Sequence, residues 1–208
     1  MALFITFEGG EGCGKSYQSK ALYNKLYNLG IAVDLTYEPG GTALGNEVRR
    51  LLKKRRQGVV SPEAELFLFA ACRAQLIADV IQPGLQKDKV IICDRFSDST
   101  IAYQGYGRGI DLAIIKMINL SATQNIKPNL TILLDLLIEQ GLRRKKTKSK
   151  DRFEEAGLIF HNRVREGYLK LAAEEPERWL VIDATLSKAE ISNIIWKRVS
   201  QMLVSVQS

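Results

Sequence analysis

Residues 9–16 constrain this chain more strongly than any other segment. They read Gly9-Gly10-Glu11-Gly12-Cys13-Gly14-Lys15-Ser16 and follow the apolar run at 3–7. This is the pattern G-x-x-x-x-G-K-[ST], in which glycines let backbone N–H groups curl around a phosphate chain and the following helix points the positive end of its dipole at it. The alternative is a glycine-rich turn with a chance lysine. We expect all eight residues to bind a nucleoside triphosphate, with Lys15 on the outer phosphates and Ser16 on Mg²⁺.

Apolar runs alternate with helical patterns along the chain, which predicts a parallel sheet flanked by helices. Short apolar runs predict strands at 3–7, 31–36, 89–93, 130–135 and 179–183. Helical patterns are found at 15–29, 43–55, 62–82, 111–125, 137–147, 154–175 and 187–204. Neither a linker nor a repeat divides the sequence. We therefore expect residues 1–208 to form one doubly wound α/β domain, with a five-stranded parallel sheet, helices on both faces and ligands at the carboxyl ends of the strands.

Local signals mark three of the predicted helix ends. Gly30 follows the first helix and is the expected C-cap. Ser61 precedes Pro62, which is the usual order of an N-cap and a first helical residue. Ser187 is followed three residues later by Glu190, which predicts a capping box.

The positive charge of the chain is concentrated in one segment. The formal net charge is +7, and residues 143–152 contain seven basic residues and one acidic residue. A nucleic-acid-binding protein usually spreads its basic residues over a face, so we expect a local polyanion such as ATP and no nucleic-acid partner.

No apolar run approaches the roughly 20 residues that span a bilayer. The three cysteines lack metal-ligand spacing, so we expect a cytoplasmic protein with reduced thiols and no membrane contact.

A carboxylate and an arginine follow the third predicted strand. Asp94 ends the run at 90–93, where a Walker B-like carboxylate would lie near Mg²⁺, and Arg95 comes next. The planar guanidinium suits bidentate phosphate binding. Because residues 9–16 already account for the phosphates of ATP, Arg95 predicts a second phosphorylated ligand. A surface ion pair at a strand end is the alternative.

Five segments together resemble the bacterial thymidylate kinases. They are Phe7-Glu8 with the loop at 9–16, Glu38-Pro39-Gly40-Gly41-Thr42, Asp94-Arg95-Phe96, Ser99-Thr100-Ile101-Ala102-Tyr103-Gln104-Gly105 and Asp151-Arg152-Phe153-Glu154. The resemblance covers nearly the whole chain in the family's order and spacing. It implies a P-loop nucleoside monophosphate kinase-like fold and transfer of the γ-phosphoryl group of ATP to dTMP, giving dTDP and ADP with Mg²⁺. It also implies a homodimer that packs through helices, for which the apolar stretch 66–80 is a candidate.

The resemblance assigns a base-binding site to two segments. Phe69 and Arg73 are four residues apart on one predicted helix face. The family uses such a pair to stack on thymine and to donate to its O4, whereas a core phenylalanine and a solvated arginine would be the alternative. Ser99 and Thr100 match positions that approach the base, although their hydroxyls could instead cap the next helix.

The resemblance also assigns residues to the sugar and to the metal shell. Tyr103 matches an aromatic ring set against the sugar C2′, which would exclude a 2′-hydroxyl, and Gln104 lies beside it. Glu11 would accept a hydrogen bond from the 3′-hydroxyl, since a carboxylate next to a triphosphate is otherwise unfavourable. Glu38 would lie near Mg²⁺ and its waters, at a Glu38–Pro39 peptide that is cis in the family.

The resemblance gives the basic segment the role of a lid. One branch of the family has an arginine in the P-loop, where this chain has Gly12 and Cys13. We therefore expect a mobile lid at about 142–153 that closes over ATP and brings a cation to the transferred group. A solvated charged loop is the alternative. The catalytic candidates are Lys15, Asp94, Arg95, Arg144 and Arg152, with Arg143 and Lys148 as further lid cations.

Three residues depart from the family's pattern. Tyr37 stands where an arginine usually precedes Glu-Pro-Gly-Gly-Thr, Cys72 replaces an aspartate and Tyr106 replaces a glycine. Tyr37 leaves one phosphate or metal-shell contact without its usual side chain.

Two other functions fit a P-loop of this kind. Another nucleoside monophosphate kinase would take AMP, CMP or GMP, against which Tyr103 and the Phe69/Arg73 pair argue. A nucleic-acid-dependent ATPase would use the basic segment as its binding strip, but the sequence offers no second basic face.

Overall fold

Five short strands form one parallel sheet. The computed structural model describes residues 2–53, 60–144 and 157–205 of the 208-residue chain. The strands are β1 Leu3–Glu8, β2 Val33–Tyr37, β3 Val90–Asp94, β4 Leu130–Asp135 and β5 Trp179–Asp183. Their order across the sheet is β2-β3-β1-β4-β5, and all neighbours are parallel. The predicted five-stranded parallel sheet is therefore confirmed, with strand ends shifted by at most two residues.

Helices cover both faces of this sheet. In the described residues they are α1 Lys15–Asn28, α2 Ala43–Lys53, α3 Pro62–Leu76, α4 Gln82–Gln86, α5 Ser97–Thr100, α6 Leu112–Thr123, α7 Ile138–Arg144, α8 Gly157–Glu174 and α9 Lys188–Ser205, with π-helical segments at Ile77–Ile81 and Ile101–Gly107. Within these ranges, no helix is long and apolar enough to cross a membrane.

The two predicted N-terminal helix ends are confirmed, whereas the C-cap of α1 is Leu29 and not Gly30. Gly30 follows α1 with φ +75°, and Ser61 Oγ accepts from the N–H of Ala64 at 3.2 Å. Ser187 and Glu190 exchange hydrogen bonds, at 3.3 Å to the serine hydroxyl and 2.9 Å to the glutamate carboxylate. Each bond satisfies a backbone group that the first turn of a helix leaves without a partner.

Two helical regions differ from the sequence prediction. The predicted helix at 62–82 is α3, then a π-helical segment, then α4. No helix is predicted at 97–107, but this stretch forms α5 and a second π-helical segment. Its glycines and polar residues give no apolar periodicity, so tertiary packing decides its conformation. The predicted ends of the helices at 43–55, 137–147 and 154–175, and most of the lid, lie outside the described residues.

The strand β1 is buried on both faces, which explains its apolar sequence. Leu3, Ile5 and Phe7 point to one side and belong to a core with residues of α1 and α9. Phe4 points to the other side and packs with residues of the Ile77–Ile81 segment and with Phe96. The sheet is thus enclosed between two layers of helices.

The carboxyl ends of β1, β2 and β3 meet at one edge of the sheet. Phe7 of β1 lies in register with Asp94 of β3, and Tyr37 of β2 lies in register with the same residue. Beyond the strands, the N–H of Arg95 donates to Phe7 O and the N–H of Glu38 donates to Asp94 O, both at 3.0 Å. The loop at 9–16 and the loops after β2 and β3 therefore open into the same space.

Candidate active site

A pocket of about 660 Å³ opens at this edge and brings most of the predicted site residues together. Its volume is typical of a site for nucleotide-sized ligands. The predicted residues that line it are Glu11, Gly12, Gly14, Lys15, Ser16, Glu38, Phe69, Arg73, Asp94, Arg95, Ser99, Thr100, Tyr103, Gln104 and Arg144. Gly9, Gly10 and Cys13 do not line it and form the wall behind Lys15.

Lys15 lies folded against its own loop. Its Nζ donates to Gly10 O at 2.7 Å and to Gly9 O at 3.1 Å. These carbonyls occupy the donors of an ammonium group that a phosphate chain would otherwise take. Lys15 is buried, and its ammonium group lies along the loop at the lining of the pocket.

Ser16 and Asp94 bring two oxygen atoms together beside the loop. The Ser16 hydroxyl donates to Asp94 Oδ2 in a short hydrogen bond. Hydroxyl and carboxylate oxygens are hard ligands of the kind that Mg²⁺ takes together with substrate phosphates. Among the described residues no group of three or more His, Cys, Asp or Glu side chains could hold a metal ion.

Arg95 connects the loop after β3 with the P-loop. Its backbone has φ +72°, a conformation that costs a non-glycine residue energy and is often found at functional sites. Its Nη2 donates to Glu11 Oε1 at 2.9 Å and to the Tyr103 hydroxyl at 3.1 Å. Its Nη1 donates to Ser99 Oγ at 3.3 Å and to the Tyr168 hydroxyl at 3.2 Å.

Two residues in this network were missed by the sequence analysis. Glu8 ends β1 and is fully buried, and Tyr168 comes from α8. Burial raises the pKa of Glu8 to about 7, and the negative charge of Asp98 adds to the shift, while Arg95 opposes it. A carboxylate at the end of a buried strand was a visible signal for Glu8. Nothing in the sequence around Tyr168 pointed to the site.

Arg73 is buried and fully engaged with protein groups. Its Nε and Nη2 donate to Glu38 Oε2 at 3.0 and 2.6 Å, and Nη1 donates to Asn119 Oδ1 at 2.7 Å. Nη2 also lies 2.9 Å from Thr100 Oγ1. Thr100 therefore binds Arg73 and does not cap a helix. Burial raises the pKa of Glu38, and the positive charge of Arg73 lowers it.

Phe69 and Gln104 line the same side of the pocket. Phe69 is partly buried and packs against Val48, Leu52 and Cys72. The side-chain amide of Gln104 donates to Glu65 Oε1 at 2.6 Å, which fixes the orientation of a buried glutamine. The Glu38–Pro39 peptide is cis, as the resemblance implied.

The departures from the family's pattern are accommodated by packing. The Tyr37 hydroxyl donates to Asn46 Oδ1 at 3.0 Å, and its ring lies 5.2 Å below the guanidinium of Arg49. Arg49 donates to Pro39 O at 2.8 Å and lines the pocket, so a cation is present near Tyr37 after all. Cys72 is buried in an apolar cluster, and the ring of Tyr106 packs over Gly167.

The base of the predicted lid packs directly on the P-loop. A Cβ atom built on Gly12 would lie 2.1 Å from Gly141 O, and one built on Gly141 would lie 2.2 Å from Glu11 O. Arg144, at the end of α7, lines the pocket and donates to Ala184 O at 2.8 Å. Arg152 and Lys148 lie outside the described residues, and Arg143 is exposed on α7.

The whole chain is similar to known thymidylate kinases. The family model described as thymidylate kinase matches residues 7–195. A protein named thymidylate kinase from Dehalococcoides mccartyi strain 195 is 52% identical over 203 residues, which cover 98% of each chain. A protein of the same name from Syntrophotalea carbinolica is 44% identical over 210 residues, covering 98% of this chain and 97% of that protein. The crystal structure of thymidylate kinase from Ehrlichia chaffeensis superimposes with a TM-score of 0.76 at 36% identity, covering 96% of this chain and 98% of that one. The chain therefore belongs to the thymidylate kinase family.

Proposed function

We propose that the pocket binds ATP on the P-loop side and dTMP on the side lined by Phe69, Arg95 and Tyr103. Members of the thymidylate kinase family transfer the γ-phosphoryl group of ATP to dTMP, and this chain is such an enzyme. The observation that carries the division of the pocket is the 2.9 Å bond from Arg95 to Glu11. Arg95 lies outside the P-loop and is suited to bind a phosphate, whereas Glu11 belongs to the P-loop. The bond between them therefore marks the place where the phosphates of ATP and dTMP would meet.

The proposed reaction needs no general base. An anionic oxygen of the dTMP phosphate attacks the γ-phosphorus, and the bond to the β–γ bridging oxygen breaks, leaving with ADP. Catalysis then consists of positioning the two nucleotides and stabilising charge on the transferred group. Lys15 would neutralise the ATP phosphates, and Arg95 would bind the phosphate of dTMP.

We assign the metal to Ser16 and Asp94. Their paired oxygens fit Mg²⁺, which would neutralise charge on the β- and γ-phosphates. Glu38 also lines the pocket, and its Oε1 is a buried oxygen with no hydrogen-bond partner among the described residues. That oxygen could accept from a water of the metal shell.

The sugar and base would be recognised by the residues around Tyr103. Its buried ring and its bond to Arg95 place a rigid wall beside the arginine, which supports the proposed exclusion of a 2′-hydroxyl. Glu11 would accept from the 3′-hydroxyl. Phe69 would stack on thymine, with Arg73, Ser99, Thr100 and Gln104 around it.

The branch with a basic lid is supported by the P-loop itself. Among residues 9–16, Lys15 is the cation, since Gly12 and Cys13 stand where an arginine occurs in another branch. We therefore assign the stabilisation of the transferred group to arginines of the lid, of which Arg144 lines the pocket.

We also propose a homodimer built on an apolar patch of α3 and α6. The patch consists of Phe67, Ile114, Met117 and Leu120, which are between 45% and 66% exposed. The two helices pack against each other, and we infer that the four side chains share one face of this pair. Contiguous exposed apolar surface of this kind marks a contact with another protein, and the symmetric arrangement of two identical chains is the commonest solution.

A coupled assay of ADP release tests the proposed function. We expect dTMP to be the best acceptor in a panel with dUMP, UMP, AMP, CMP and GMP. Lys15→Ala and Arg95→Ala should lose turnover, while Lys87→Ala, an exposed lysine outside the pocket, should retain it. A preference for AMP, CMP or GMP would indicate another nucleoside monophosphate kinase. ATP turnover that needs DNA or RNA and no dTMP would indicate a nucleic-acid-dependent ATPase.

A further inference from the structure

Glu8 is a fully buried carboxylate that the phosphoryl-transfer scheme above does not use. Its Oε1 accepts from the backbone N–H of Phe96 at 2.8 Å. Its Oε2 accepts from Ser99 Oγ at 2.6 Å and from the Tyr168 hydroxyl at 2.8 Å. Three donors from three segments of the chain therefore converge on one side chain.

The same two hydroxyls lie between Glu8 and Arg95. Ser99 Oγ and the Tyr168 hydroxyl accept from Arg95 Nη1 at 3.3 and 3.2 Å. A hydroxyl group has a single proton and two lone pairs. The two hydroxyl oxygens also lie 2.8 Å from each other, so each is a competing acceptor for the other's proton. Because the ionised carboxylate of Glu8 can only accept and is the stronger acceptor, both protons are drawn toward Glu8, and the lone pairs are left for the arginine.

The opposite side of the guanidinium faces the pocket. Arg95 Nη2 donates to Glu11 and Tyr103, which line the pocket together with Arg95. A guanidinium held at Nη1 keeps its plane, and with it the direction in which Nη2 can donate. The hydrogen bonds of Nη1 to Ser99 and Tyr168 thus fix the orientation of Arg95, the proposed phosphate-binding arginine.

We propose that Glu8 is a positioning residue, which orients the hydroxyls of Ser99 and Tyr168 so that both accept from Arg95 and hold it toward the acceptor phosphate. The inference rests on the proposed role of Arg95 in binding dTMP. Glu8 itself touches neither nucleotide, and its effect reaches the substrate through Arg95.

Glu8→Gln tests the direction of these bonds with little change in size. The backbone N–H of Phe96 cannot turn, so a glutamine keeps its amide oxygen on that N–H and presents its NH2 group to both hydroxyls. The hydroxyls must then accept from residue 8 and turn their protons away from it, toward Arg95. We expect KM for dTMP to rise on the order of tenfold near pH 8, as expected when a charge-assisted hydrogen-bond network is broken. KM for ATP should not change, because the P-loop contacts of Lys15 do not involve Glu8.

Two further variants separate positioning from stability. Tyr168→Phe removes one of the two hydroxyls and should raise KM for dTMP in the same sense, and its effect should not add to that of Glu8→Gln. Thr6→Val is the matched control: Thr6 is equally buried on β1 and is bonded to Thr131 Oγ1 at 3.0 Å, outside the network. It should leave KM for both substrates unchanged.

The outcomes distinguish this inference from the proposed function. An unchanged KM for dTMP in Glu8→Gln and Tyr168→Phe, or an equal rise in KM for ATP, would overturn the positioning role. If Glu8→Gln does not fold, the result of Tyr168→Phe decides alone. A wild-type enzyme that does not phosphorylate dTMP would instead overturn the function on which the inference rests.

Discussion

Arg73 directs two N–H groups at one oxygen of Glu38, at 3.0 and 2.6 Å, and both side chains are almost completely buried. The other carboxylate oxygen, Oε1, has no hydrogen-bond partner among the described residues. The pair joins the loop after β2 to α3, the helix that also carries Phe69. This ion pair therefore ties the side of the pocket lined by Phe69 to the loop after β2.

Removing one partner of this pair should be costly. Arg73→Met leaves the Glu38 carboxylate buried without its counter-ion, so we expect a loss of about 3–5 kcal/mol in the free energy of unfolding. The double variant Arg73→Met with Glu38→Gln should lose much less than the sum of the two single variants. Lys89→Met is the control, since its bridge to Asp34 is one third exposed and should be worth less than about 1 kcal/mol. Urea unfolding measures all four, and additive losses would show that the pair is not coupled.

The ring and the hydroxyl of Tyr103 should have separable effects. Tyr103→Ala removes the wall proposed to face C2′, so we expect the preference for dUMP over UMP to fall. Tyr103→Phe keeps the ring and loses the hydroxyl with its bonds to Arg95 and Glu11, so the preference should remain while turnover falls. Ratios of kcat/KM for the two acceptors measure both effects. Continued exclusion of UMP by Tyr103→Ala would contradict the steric role of the ring.

The contact between Gly12 and Gly141 should make Gly12→Ala more damaging than backbone strain alone. Both Gly12 and Gly30 have positive φ, at +71° and +75°, so alanine costs about 1–2 kcal/mol at either position. Only at Gly12 would the added methyl meet a backbone atom, at 2.1 Å, whereas the space around Gly30 is open. We expect Gly12→Ala to weaken ATP binding by displacing α7, and Gly30→Ala to leave it unchanged. Equal ATP affinities in calorimetry would show that the loop and α7 are not tightly coupled.

Glu8 should make stability depend on pH. Its pKa is raised from 4.5 to about 7 by burial, so between these values the folded protein holds a proton that the unfolded chain has released. Stability therefore falls as pH rises through this window. Relative to Glu8→Gln, which does not titrate, the wild type should lose up to about 3 kcal/mol between pH 5 and pH 8. Urea unfolding of both proteins at the two pH values checks this, and a constant difference between them would contradict the raised pKa.

A charge on the apolar patch should separate the proposed dimer. Met117 is 66% exposed, the largest exposed fraction of the four residues, so Met117→Glu would place a carboxylate in the proposed contact. We expect a monomer by sedimentation at concentrations where the wild type is a dimer. Val204→Glu, at an equally exposed apolar residue on α9, is the control and should not change the mass. A monomeric wild type, or a dimeric Met117→Glu, would rule out this surface as the interface.

Residues whose role depends on neighbours in the sequence could be predicted from the sequence. A few consecutive residues were enough to identify the P-loop, the strand before it and the pair Asp94-Arg95 after β3. Residues of the P-loop and this pair line the same pocket. The three central strands β1, β3 and β4 were predictable for the same reason, because a strand buried on both faces is a continuous apolar run.

Residues whose role depends on partners far away in the sequence could not be predicted from the sequence. Tyr168 donates to Glu8 although the two residues are 160 positions apart in the sequence, and no local sequence pattern predicts that contact. For Arg73 the helix face was predicted, but its binding to Glu38 and Asn119 is decided by how α3, α6 and the loop after β2 pack. The stretch 97–107 forms helical turns without apolar periodicity, and its conformation follows from the residues around it.

The contact between Gly12 and Gly141 also limits the routes by which this sequence can diverge. An arginine at position 12 would drive its side chain into the backbone of α7, and one at position 13 would enter the core in which Cys13 is 2% exposed. At these two positions of the P-loop, one substitution to arginine therefore cannot be accommodated unless α7 or the core first makes room.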